Sequence, residues 1–186
     1  MPSVYLAGPE VFLAGGRELI DLKRDLAARH GLEPTRRHAE FTPEELHGPL
    51  GLAISRRNEQ LMDEADLCIA NLTPFRGLSA DPGTVFEVGY VIAQGKPVFG
   101  YTTEPALYAD RVATALGPLT RNGGRLEAAD GSMVEDHGWS DNLMMEGAIL
   151  SRGWDFVRAP TAPADPWRDL DTFEECVRRA AAYARG

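Results

Sequence analysis

Asp66-Leu67-Cys68-Ile69-Ala70-Asn71-Leu72 is the clearest strand in the chain, a continuous apolar run with polar residues at its borders. It shows no polar–apolar alternation, so it suits a central parallel strand covered on both faces. The pattern on either side agrees. Upstream, Val4-Tyr5-Leu6-Ala7 ends at Gly8-Pro9, a buried strand running into a loop. Over residues 16–30 the side chains of Leu19, Ile20, Leu22, Leu26 and Ala27 recur at helical spacing, and Gly31 supplies the stop. Residues 32–35 read as a short second strand. Thr42-Pro43-Glu44-Glu45 looks like a helix start, after which Gly48, Pro49 and Gly51 break the pattern. A further helix is expected over 53–64, with Ile54, Leu61 and Met62 inward.

Downstream, Asp81-Pro82-Gly83-Thr84 places Asp at a helix cap and Pro at the first helical position. That helix is expected to run to Gln94 and stop at Gly95, with a strand over 97–101. Residues 104–116 and 140–150 read as helices, 154–157 as a last strand, and 172–184 as a closing amphipathic helix. Between them, 117–138 is polar and glycine-containing, an expected loop excursion. Residues 159–166 hold Pro160, Pro163 and Pro166 and read as an extended connector. Strands alternating with helices predict an α/β fold: a doubly wound (flavodoxin- or Rossmann-like), mostly parallel sheet with helices on both faces.

The length of 186 residues predicts one domain over 1–186, and 44% hydrophobic with 25% charged residues is ordinary for a globular chain. Acidic residues outnumber basic ones 28 to 19, a net charge of −9. That balance excludes a nucleic-acid polymer held by its phosphates, while a small nucleoside or nucleotide needs only a few local donors. Lys23 and Lys96 are the only lysines, which reads as a codon bias toward Arg without functional meaning. Cys68 and Cys176 are too few and too far apart for a disulfide framework. His30, His38, His47 and His137 lack metal-ligand spacing, so no metal is expected. No targeting peptide or apolar stretch of spanning length is apparent, so the expected compartment is the cytoplasm, without membrane contact.

In open α/β sheets ligands bind beyond the carboxyl ends of the strands, at a topological switch point. Two loops have that position: Gly8-Pro9-Glu10 after the first strand, and 72–81 after the central one. The second leads into a helix carrying Asp81 at its cap and Glu87 in its second turn. Gly83 permits close approach of a ligand, and Thr84 offers a hydroxyl. The helix dipole favours an anionic Glu87, and its neighbours Val85, Phe86, Val88 and Gly89 are apolar or small. Two carboxylates so placed suit attack on a sugar anomeric carbon, one as nucleophile and one handling the leaving group's proton. Asp81 also reads as a plain N-cap, and a lone helical Glu as surface charge. The pair is the more specific signal.

The chain resembles the nucleoside 2-deoxyribosyltransferase family. The likeness rests on residues 5–12 (Tyr5-Leu6-Ala7-Gly8-Pro9-Glu10-Val11-Phe12), on 58–71, and on Asn71-Leu72-Thr73-Pro74-Phe75-Arg76-Gly77. It continues through 81–89 (Asp81-Pro82-Gly83-Thr84-Val85-Phe86-Glu87-Val88-Gly89) and Ser140-Asp141-Asn142-Leu143-Met144. Phosphoribohydrolases share the short Gly-Thr-x-x-Glu element, but they place a Gly-Gly pair before it that is absent here.

The resemblance implies that Glu87 is the nucleophile, forming a deoxyribosyl-enzyme ester, and that Asp81 contacts substrate and assists base departure. Tyr5 would orient Glu87. Asn142 would reach the sugar 5′-hydroxyl of a neighbouring subunit's site, which implies a homo-oligomer, a dimer or hexamer. Substrates would be deoxynucleosides and free nucleobases, and no cofactor is implied. Some members carry Asp where this chain has Asn58, which shifts proton donation toward Asp81 or water. Asn58 either reads a base edge or sits on an ordinary helix face. Phe12 and Phe75 either stack on a base or pack loops, and Arg76 binds a polar edge or a phosphate.

The leading expectation is base exchange on a 2′-deoxyribonucleoside with retention. The alternatives are hydrolysis of a deoxynucleoside or its 5′-phosphate, and a nucleotide-sensing module without catalysis. Asp141-Asn142 offers little positive charge for a phosphate, which favours a free 5′-hydroxyl.

Overall fold

The computed structural model describes residues 1–36 and 49–186. The expected helix start at 42–45, with His38 and His47, lies outside the described residues. The elements in order are β1 (Ser3–Ala7), a 3₁₀ turn (Pro9–Phe12), α1 (Gly16–Arg29), β2 (Glu33–Pro34), α2 (Leu50–Glu64) and β3 (Leu67–Asn71). They continue with α3 (Pro82–Ala93), β4 (Val98–Thr102), α4 (Tyr108–Leu116), β5 (Thr120–Asn122), β6 (Arg125–Glu127) and β7 (Met133–Val134). The chain closes with α5 (Leu143–Leu150), β8 (Phe156–Arg158) and α6 (Asp171–Tyr183).

The main sheet has the order β2-β1-β3-β4-β8 with every pairing parallel. β3 is the middle strand, and all five of its residues are buried. Alternation along the strands divides the core in two. Tyr5, Ala7, Cys68, Ala70 and Val98 face Leu61 and Met62 of α2, Val88 and Val91 of α3, and Ile149 of α5. Val4, Ile69, Phe99, Tyr101 and Val157 face Leu26 and Ala27 of α1 and Phe173, Val177 and Ala180 of α6. Complete burial of a side chain such as Ile69 contributes roughly 1.5–3 kcal/mol. Gly100 of β4 has no side chain because a Cβ there would lie 2.6 Å from Cδ2 of Phe156.

Several expectations needed correction. α2 begins at Leu50, so Gly51 sits in its first turn, where a missing side chain costs only a few tenths of a kcal/mol to ~1 kcal/mol. Ile54 and Leu22 are exposed, the pattern having placed them inward. The helix expected from 104 begins at Tyr108, and the last strand is shifted to Phe156–Arg158. Residues 117–138 hold an antiparallel sheet, β5-β6-β7. Its first turn uses Gly123 and Gly124, both at positive φ, the backbone that a tight hairpin needs. Val112, Ala128 and Val134 form a small core beneath it. Its strands are two or three residues long and β5 is fully exposed, so no apolar alternation announced them. Cys68 and Cys176 are buried and free. Among the described residues no helix is long and apolar enough to cross a membrane.

Candidate active site

From β1 the chain steps outward to β2 and then returns across to β3, so the carboxyl ends of β1 and β3 open a crevice between diverging connections. A cavity of about 460 Å³ lies there. Tyr5 from the middle of β1, Gly8 just after it, Asp81 at the cap of α3, and Gly83, Thr84 and Glu87 from its first two turns are on its wall. Phe12 from the 3₁₀ turn and Asn58 from α2 join them, while Pro9, Phe75, Arg76 and Asn142, also singled out by the sequence, are not on this wall.

Tyr5 points toward α3 because its position in β1 alternates with Val4 and Leu6. Its Oη donates to Oε1 of Glu87 at 2.6 Å. Burial pushes the Glu87 carboxyl up to about 7; the Tyr5 hydrogen bond opposes that, while the charges of Asp81 and Glu10 add to it. The dipole reading had expected an ionised Glu87. It is the sixth residue of α3, beyond the first turn where the dipole acts strongly, and desolvation outweighs it. Near neutrality the carboxyl is therefore about half ionised. Burial and the adjacent carboxylate push the Tyr5 phenol far up, so it remains a proton donor.

Asp81 satisfies both of its readings at once. Its Oδ2 accepts from the Thr84 backbone N–H at 3.0 Å and caps α3, while the residue lines the cavity. The Thr84 hydroxyl also donates to this oxygen, at 3.3 Å, so it serves the cap. A Cβ on Gly83 would approach Oδ2 of Asp81 to 2.9 Å, which is why the position has no side chain. The loop before the cap is held by Asp141, which the sequence reading considered only for its lack of positive charge, and by Arg111, which it missed. Asp141 Oδ2 accepts from the Ala80 N–H at 2.8 Å, and buried Arg111 donates to the carbonyls of Leu78, Ala106 and Ser140.

Phe12 stacks on Phe75 with ring centroids 5.8 Å apart, and the Arg76 guanidinium lies 5.2 Å and 4.7 Å from those two rings. Phe75 also meets Trp167 edge-on at 5.5 Å. Phe12 thus faces the cavity, whereas Phe75 and Arg76 back it from behind. Pro9 starts the 3₁₀ turn and is buried away from the wall. Asn142 is not on this chain's cavity wall. It caps α5, with Oδ1 accepting from the Met144 N–H and Nδ2 donating to Glu135, both at 3.0 Å.

The sequence reading also passed over Lys23, which is buried against Glu10 and Tyr101 on the wall opposite α3. A signal existed: Lys23 falls four residues after Leu19 and three before Leu26, on the apolar face of α1. Arg17, Arg24 and Arg36 also border the cavity, as does Asp21.

Residues 4–144 match the family model described as nucleoside 2-deoxyribosyltransferase. The chain belongs to the nucleoside 2-deoxyribosyltransferase family. A 2-deoxyribosyltransferase from Leishmania mexicana superposes with a TM-score of 0.61 at 25% identity, covering 95% of this chain and 97% of that one. A conserved protein from Enterococcus faecalis shares the fold, with a TM-score of 0.56 at 18% identity over 97% of this chain and 99% of that one. An uncharacterized protein of Schizosaccharomyces pombe is 36% identical over 170 residues, 82% of this chain and 79% of its relative. The family match spans β1 through the first residues of α5, and therefore every candidate residue from Tyr5 to Asn142. The deoxyribosyltransferase family acts on nucleosides, and the parallel sheet found here is its flavodoxin-like architecture.

Proposed function

We propose that the protein exchanges the base of a 2′-deoxyribonucleoside by a two-step displacement with retention. The observation that carries this reading is the Tyr5–Glu87 hydrogen bond inside the switch-point cavity. Tyr5 occupies Oε1 and fixes the carboxylate's orientation, which directs Oε2 to the anomeric carbon. In the first step an Oε2 lone pair forms the bond to C1′ while the C1′–N bond breaks. The base departs with that electron pair and takes a proton from Asp81 or from water. In the second step a nitrogen of the incoming base attacks C1′ from the vacated face, the Glu87 carboxylate leaves, and the proton returns by the same route. Two inversions give retention.

Asn58 would read a base edge and Phe12 would stack on the ring, a reading supported by their place on the cavity wall and by Phe75 and Arg76 packing against Phe12. Asn142 would act on the site of a neighbouring subunit, which makes the working enzyme a homo-oligomer. The partners are deoxynucleosides and free nucleobases.

The test is incubation with deoxyinosine and adenine. Appearance of deoxyadenosine, abolished by Glu87→Ala, is the expected result. Release of hypoxanthine and free deoxyribose without any new nucleoside would replace transfer by hydrolysis. Unchanged exchange in Glu87→Ala would overturn the mechanism.

A further inference from the structure

Opposite α3, the cavity wall contains a buried ion pair that the exchange mechanism leaves without a task. Glu10 and Lys23 are among the few buried charged residues described, and they bond to each other through Glu10 Oε1 and Lys23 Nζ. Lys23 Nζ also donates to the Tyr101 hydroxyl at 2.6 Å and lies 5.3 Å and 5.2 Å from the rings of Tyr101 and Phe173. Asn71 Nδ2 donates to the same Glu10 oxygen at 2.7 Å, and Asn71 Oδ1 accepts from the Thr73 N–H at 3.1 Å. The Glu10 side chain lies against Gly8, where a Cβ would stand 2.1 Å from its Oε2. One carboxylate therefore ties together the turn after β1, the last residue of β3 with the loop that leaves it, and α1.

Ion pairs this deeply buried cost desolvation, and apolar side chains of similar volume often replace them without loss of stability. A buried pair of charges on a cavity wall therefore points to a role other than stability. Glu87 lies within electrostatic reach of Glu10. The other titratable groups that face Glu87 are Tyr5 from β1, Cys68 from β3 and Asp81 from the cap of α3. Tyr5 and Cys68 are held protonated by burial, so Asp81 and Glu10 are the anions it meets.

We infer that the Glu10–Lys23 pair is a positioning device for the nucleophile, clamping the two switch-point loops together and setting the charge that the Glu87 carboxylate meets across the cavity. It rests on the reading of Glu87 as nucleophile, and it assigns Glu10 and Lys23 an indirect action, through Glu87 and the loops, with no bond to substrate.

The experiment follows Glu87 itself rather than turnover. The side-chain carboxyl is titrated by ¹³C NMR and assigned by its absence in Glu87→Gln, so the result is readable even if the protein exchanges no bases. In the native protein the midpoint is expected near about 7. Glu10→Gln keeps an amide oxygen for Lys23 and Asn71 but removes the anion, and should lower that midpoint by about half a pH unit or more. Glu10→Gln/Lys23→Met removes both charges, which avoids a stranded buried cation, and should lower it by less. In both variants the Thr73 amide should exchange faster with solvent. A Glu87 midpoint that stays in place in whichever of these variants folds, whatever happens to stability or activity, would overturn the proposal. Failure of the deoxyinosine–adenine exchange with these shifts intact would instead count against the nucleophile reading alone.

Discussion

Replacing Glu87 by Gln should make the protein more stable, and by an amount that grows with pH. Burial holds this carboxyl at about 7 in the folded chain against an ordinary value of 4.5. Below 4.5 it is protonated in both folded and unfolded states and contributes no difference. Between 4.5 and about 7 the unfolded chain releases its proton while the folded one retains it, so stability is lost as pH rises. Above about 7 the full cost stands, about 3 kcal/mol from the separation of the two values. Gln is neutral, fills the same volume and still offers an oxygen to the Tyr5 hydroxyl, so it removes this cost and little else. The expected gain is about 1 kcal/mol at about pH 5 and about 3 kcal/mol at about pH 8. For a chain of this size that is a rise in melting temperature of roughly 2–4 °C at the lower pH and 6–12 °C at the higher. Paired thermal melts of the two proteins, followed by circular dichroism across this range, measure it. A difference that is independent of pH, or a variant less stable than the parent at about pH 8, would refute the buried-carboxyl reasoning.

Tyr5→Phe removes the hydrogen bond that favours ionised Glu87, so the acidic limb of the exchange rate should move above about 7. Its pH–rate profile checks this, and a limb unmoved or shifted downward would contradict it. Asp81→Asn keeps a good N-cap and removes a neighbouring anion, so the Glu87 midpoint should fall while melting changes by under ~1 kcal/mol. Turnover should drop nonetheless, because an amide cannot return a proton to the leaving base; a profile and rate like the parent's would remove Asp81 from the mechanism. Gly100→Ala drives a methyl against Phe156 and Ile149 and should cost roughly 1–3 kcal/mol in denaturant unfolding. No loss would mean that this strand and α5 pack less closely than described.

What could be read from the sequence was whatever local pattern or a short motif determines. β3 stood out because burial on both faces removes the polar alternation that would blur a strand, and the α3 start was visible because Asp81-Pro82 is a local device. Asp81 and Glu87 were legible as a pair for the same reason, since both belong to the first two turns of a helix whose start is marked locally, whereas the role of Tyr5, in the middle of β1, came only with the family resemblance. The antiparallel appendage was not legible, since its strands are too short to show a period and are carried by glycine turns and a three-residue core. Arg111 and Asp141 act on carbonyls and amides far away in sequence, which no local pattern encodes. Lys23 was visible as a cation on an apolar helix face, but its partner lies on another element. The protonation of Glu87 was misjudged because the dipole is a property of its helix and desolvation a property of the whole fold.

The covalent ester on Glu87 is the central claim, and it can be weighed directly. The protein is incubated with a 2-fluoro-arabinosyl nucleoside, whose fluorine slows both displacements and lets the glycosyl-enzyme accumulate. Intact-protein mass spectrometry then reads the addition and peptide mapping locates it. The expected result is one fluoro-arabinosyl group per chain, on the peptide containing Glu87 and absent in Glu87→Gln. Release of the base with no mass increase, or an adduct on any other residue, would contradict it.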